Sequence, residues 1–110
     1  MAVRSTGPGP GDRPLVTIRF DRRRVAYHRA LYNAVGRALE RKPGAAFDLV
    51  AVSPKTGSAA QVVLNSTAAK RNAEGVLRSL AQMGLATSRL NLTAISSASA
   101  QTNEVRVYVR

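Results

Sequence analysis

The sequence predicts an α/β (α+β) two-layer sandwich: a mixed four-stranded sheet with two helices on one face, in the chain order β-α-β-α-β-β. Three observations carry that prediction. The 110 residues suffice for one small core and little more. A hydrophobic fraction of 45% against 21% charged residues is that of a chain that folds rather than one that stays disordered. Apolar residues recur with period two in short stretches and with a helical period in longer ones. Short connections join the two kinds, which favours helices packed on a sheet through right-handed crossovers.

The first 13 residues carry Gly7, Pro8, Gly9, Pro10 and Gly11, which bury no apolar area and block regular hydrogen bonding. They read as a flexible arm ahead of a domain spanning residues 14–110. In Leu15–Phe20, Val16, Ile18 and Phe20 share one face and Leu15, Thr17 and Arg19 the other, the pattern of a half-buried strand, β1. From Val25 the spacing turns helical. Val25, His28, Leu31, Tyr32, Val35, Ala38 and Leu39 form a stripe opposite Arg29, Asn33, Arg37, Glu40 and Arg41, giving α1. Arg41 and Lys42 suit the negative end of its dipole, and Pro43-Gly44 stops it. Ala46 to Ser53 is nearly continuous in apolar residues apart from Asp48, as a strand covered on both faces should be, and is β2.

Pro54-Lys55-Thr56-Gly57 reads as a turn, and Ser58 and Gln61 stand at capping-box spacing, so α2 begins near Ala59. Its inner stripe runs through Val62, Ser66, Ala69, Ala73, Val76, Leu80 and Met83, and Gly84 closes it. The β-branched and polar stretch Val62 to Thr67 leaves open a break recapped by Ser66 or Thr67. Leu90–Ala94 and Val105–Val109 alternate again and are β3 and β4. The polar Ser97 to Asn103 between them is expected to close a hairpin.

Seventeen basic against six acidic residues give a net charge of +11, a field that favours polyanionic partners. Cysteine is absent, which removes disulfides, thiolate metal sites and thiol nucleophiles. No apolar run reaches the roughly 20 residues that cross a bilayer, so no transmembrane segment is expected in this chain. The six acids show no paired-carboxylate, Glu-x-x-His or EF-loop spacing, so neither a metal nor another cofactor is expected. His28 lies on the apolar side of α1 as a core or boundary residue. Ser96, Ser97 and Ser99 lack the flanking glycines of a nucleophile elbow, and Gly7, Gly9 and Gly11 follow no strand. The sequence reads as non-enzymatic.

Several residues then resemble the OmpA-like domain family, the envelope module that binds peptidoglycan, over about Leu15 to Arg110. Ile18-Arg19-Phe20-Asp21 is similar to the family's opening strand ending in Phe-Asp, and Ala46 to Gly57 to its second strand and turn. Asn65, Ala68-Ala69, Ala73-Glu74, Val76, Leu80 and Gly84-Leu85 follow the spacing of its second helix, and Val105, Val107 and Val109 resemble its last strand. The resemblance implies a place in the periplasm or at the outer membrane, within the cell envelope, and peptidoglycan or an envelope protein as partner. It also implies a ligand groove lined here by Ser53, Pro54, Lys55, Thr56, Asn65, Arg71 and Asn72.

In the family an Asp after the second strand takes the ammonium of the stem peptide's diamino acid, and an Arg on the second helix grips a carboxylate. Pro54 stands at the Asp position and Asn72 at the Arg position, with Arg71 one place away. Asn103-Glu104 replaces the paired arginines before the last strand. The groove is therefore degenerate, implying weak wall binding or protein docking. Asn65 is expected to bond the backbone of the turn after β2.

Arg22, Arg23, Arg24 and Arg29 form the densest positive cluster, a candidate anion-binding site at the start of α1. Thr17, Arg19, Arg106, Tyr108 and Arg110 would make a basic platform if β1 and β4 are neighbours. That platform, with the arginine cluster, supports nucleic-acid binding as the alternative function, although aromatic stacking surfaces are few.

Overall fold

The structure, a computed structural model, describes residues 13–22 and 24–110. The expected arm, apart from Arg13, and Arg23 of the arginine cluster lie outside the described residues. The elements are β1 (Val16–Arg19), α1 (His28–Arg41), β2 (Phe47–Pro54), α2 (Ala59–Gln82), a 3-10 turn (Thr87–Arg89), β3 (Leu90–Ser97) and β4 (Glu104–Val109).

The strands form one mixed sheet in the order β1-β4-β2-β3. β2 and β3, joined through α2, are parallel, whereas β4 runs antiparallel to both β1 and β2. Alternation sends Phe47, Leu49 and Ala51 of β2 and Val105 and Val107 of β4 to one face. There they pack with Leu31, Val35 and Ala38 of α1 and Ala69, Ala73, Val76 and Leu80 of α2 in the main core. Both helices therefore cover one face, as the sequence predicts.

The expected β3–β4 hairpin does not form. Every residue from Phe47 to Ser53 is buried, so β2 needs a hydrogen-bonded neighbour on each side: α2 returns the chain to β3 on one, and β4 takes the other. The connection from β3 to β4 crosses β2 instead of turning back. Ala100 within it closes a second, smaller cluster with Val50, Val52 and Tyr108 on the sheet face away from the helices.

α1 starts at His28, three residues later than Val25. Tyr27 offers no side-chain cap and the first turn holds no acid, while Arg24 and Arg29 oppose the positive end of the helix dipole. α2 starts where the capping signal places it, with Ser58 Oγ accepting from Gln61 N at 3.1 Å. It runs unbroken through Val62 to Thr67, where Thr67 Oγ1 donates back to Val63 O at 3.0 Å. Gly84, at φ +109°, ends it in a conformation that favours glycine. Met83 is exposed rather than part of the inner stripe, and Ser79 is buried there in its stead.

That serine joins the helices: its Oγ lies 3.3 Å from Tyr27 Oη and 3.2 Å from His28 Nε2, and donates to Gly75 O at 3.2 Å. His28 stacks on Tyr27 at 4.4 Å and sits at the exposed rim of the joint. Arg89 ties the 3-10 turn to the entry of β2, donating from Nε to Ala45 O (2.9 Å) and from a guanidinium nitrogen to Ala45 O (2.7 Å) and Pro43 O (2.8 Å).

Candidate binding surfaces

Of the residues of the expected groove, Ser53, Pro54, Lys55 and Thr56 fall at one end of the sheet, where β2 passes into α2, and Asn65, Arg71 and Asn72 lie along α2. Ser53 is buried, its Oγ 3.4 Å from Ser96 Oγ, and Pro54 ends β2 in register with Ser97. Lys55 and Thr56 are exposed in the turn, and Gly57 at φ +89° makes the bend possible. Asn65 does not bond the turn's backbone. Its Oδ1 accepts from Gln61 Nε2 at 3.1 Å, because both side chains lie on the same flank of a helix that has already begun.

Asn72 is half-buried on the inward flank of α2. Arg71, about 100° further round the helix, is exposed. The guanidinium next to the family's arginine position therefore points to solvent, and no acid occupies the turn from Ser53 to Gly57.

Arg22 and Arg24 of the arginine cluster border the first of two clefts that share Arg19 and Asp21. One, about 520 Å³, is lined also by Thr17, Arg22, Arg24 and Val25. The other, about 550 Å³, is lined by Ser99, Gln101, Thr102 and Glu104. Arg22 pairs with its neighbour Asp21 at 3.4 Å, while Arg24 and Arg29 are exposed.

β1 and β4 are neighbours, so the basic platform exists, with Thr17 opposite Arg106 and Arg19 opposite Glu104. It carries its own counter-charges. Glu104, 8% exposed, places Oε1 3.0 Å from Arg106 Nε and Oε2 3.6 Å from Arg19 Nε. Burial pulls the Arg106 guanidinium toward its neutral form, but the hydrogen bond and charge of Glu104, with help from Tyr108, outweigh it and hold the group above the usual arginine value. Asp48, 2% exposed, has Oδ1 2.8 Å from Arg110 Nε, a close ionic contact without the alignment of a hydrogen bond.

Sequence reasoning missed these two acids. Their signals are the Glu104–Arg106 spacing, which puts both side chains on one face of a strand, and the lone charge at Asp48 in an apolar run. Three platform arginines thus face two buried carboxylates, which leaves little net charge for a phosphate backbone.

Among the described residues, no group of acids and histidines is placed to hold a metal ion. No helix among them is long and apolar enough to cross a membrane.

No protein-family profile matches the chain, and no curated protein is detectably similar to it in sequence. Solved structures are similar in fold. The peptidoglycan-associated lipoprotein from Burkholderia pseudomallei superposes with a TM-score of 0.65 at 16% identity, covering 86% of this chain and 89% of that one. The OmpA-like domain of FopA1 from Francisella tularensis subsp. tularensis SCHU S4 gives a TM-score of 0.64 at 7% identity, over 84% of this chain and 70% of that one. This chain has the OmpA-like fold.

Proposed function

We propose, from the OmpA-like fold as premise, that this chain is a non-catalytic binding module of the bacterial cell envelope, working in the periplasm. Its contact with peptidoglycan is weak and carried by the retained shape of the scaffold together with its positive charge, not by recognition of the stem peptide. One observation carries the reading: the scaffold matches a peptidoglycan-associated lipoprotein over 86% of this chain, while Pro54 and Asn72 stand where the family resemblance puts its reading pair. A fold kept without its zwitterion reader retains a shape and a +11 field, and the wall's stem-peptide carboxylates suit such a field. The nucleic-acid alternative has less behind it, because Glu104 and Asp48 offset most of the charge of the platform it would use.

The test is co-sedimentation with purified sacculi beside a basic protein of equal size and charge. The expected result is retention above that control at low ionic strength, falling as salt rises and not competed by free stem peptide. Retention no greater than the control's would remove the proposal.

A further inference from the structure

The outward ridge of α2 is divided along its length. Ala60, Val63, Leu64 and Thr67 come first and Lys70 and Arg71 follow, all exposed and within about 120° of one another round the helix. Val63 and Leu64 are each 63% exposed, the highest values among the large apolar side chains of the described residues. Thr67 adds to the apolar half, because its hydroxyl is spent on Val63 O. The first buried residue of α2 is Ala69, so the turns before it stand largely clear of the core. Arg71 lies about 12 Å along the axis from Val63, so apolar and cationic contacts fit within the footprint of one short segment. Lys55 adds a further exposed cation from the preceding turn, and Glu74 is the acid nearest to this stretch on the ridge.

We infer that this ridge docks an acidic, apolar segment of a protein partner, with apolar anchors over Val63 and Leu64 and carboxylates on Lys70 and Arg71. Charge selects that occupant. A second copy of the chain would bring another +11 field against the first, and bare anionic polymers have nothing to place over the two aliphatic side chains. Packing of an amphipathic segment along a helix needs apolar anchors at this spacing and a rim of one sign. The inference goes beyond wall contact and does not depend on it.

The probe is a synthetic 18-residue amphipathic peptide with leucines at helical spacing and glutamates elsewhere. One control carries lysines in place of the glutamates and another carries serines in place of the leucines. Titration into the labelled protein, followed by amide shifts, is expected to move residues 60–71. The Leu/Glu peptide should bind at least about tenfold more tightly than either control. Replacing Val63 and Leu64 together by Ser should weaken it about tenfold or more. It should leave thermal unfolding within a few degrees and sacculus retention unchanged, since both side chains lie outside the core. Shifts confined to other residues, equal binding of the lysine peptide, concentration-dependent dimerisation lost in the double-serine variant, or binding of anionic lipid vesicles through residues 60–71 would each overturn the inference.

Discussion

Glu104→Gln removes one charge from the outer sheet face and almost no volume, so its effect isolates the ion network. In the native protein the carboxylate's side chain is 11% exposed and serves two arginines of unequal weight. Arg19 is 69% exposed at 3.6 Å, a screened pair worth about 0–0.5 kcal/mol. Arg106 is 31% exposed at 3.0 Å, and loses a charge-assisted bond of about 1.5–3 kcal/mol while keeping a neutral acceptor in the glutamine. Allowing for solvent at Arg106, the substitution should cost about 1–2.5 kcal/mol, or a fall of roughly 5–15 °C in Tm for a domain of this size.

A double-mutant cycle with Arg106→Met separates the pair from the rest of the network and should return a coupling of about 1–2 kcal/mol. The same substitution frees Arg19 and Arg106, so retention on a polyanion such as heparin at low salt should rise. A cost below about 0.3 kcal/mol together with unchanged polyanion retention would show that Glu104 does not neutralise the platform.

The helix glycines separate propensity from geometry. A methyl at Gly36 meets no atom within 4 Å, and one at Gly75 meets only Arg78 and Tyr27 at ordinary contact distances, so Gly36→Ala and Gly75→Ala should each stabilise by about 0.5–1 kcal/mol in urea titration. Gly84→Ala, at φ +109°, should instead cost about 1 kcal/mol. Ser58→Ala removes the cap on Gln61 N and should lower stability by about 0.5–2 kcal/mol, with faster hydrogen exchange in the first turn of α2 and none of that effect near Leu80.

Most of the fold was legible because the pattern of burial is local. Val16 and Ile18 alternate, Ala69, Ala73, Val76 and Leu80 recur at helical spacing, and Ser58 with Gly84 marks the ends of α2. The misread features are those decided by partners distant in sequence. β3 and β4 are consecutive and alternating, yet the burial of β2 on both sides places it between them. α1 begins late because its dipole meets arginines, a cost that the apolar spacing of Val25 and His28 does not register.

At the site, the family resemblance alone assigns Pro54 and Asn72 to the expected ligand-reading positions, residue by residue. The neutralisation of the basic platform could not be read from the sequence. It depends on Asp48 facing Tyr108 and on Glu104 facing Arg19, and both registers exist only once the strands are paired.

The proposed function requires an OmpA-like scaffold that does not read the stem peptide. Calorimetric titration of the protein with a soluble stem peptide ending in the diamino acid tests this most directly. The native chain is expected to give no saturable heat, and combining Pro54→Asp with Asn72→Arg to gain saturable binding. Saturable, salt-insensitive binding by the native chain, with amide shifts at residues 53–56 and 72, would contradict the proposal.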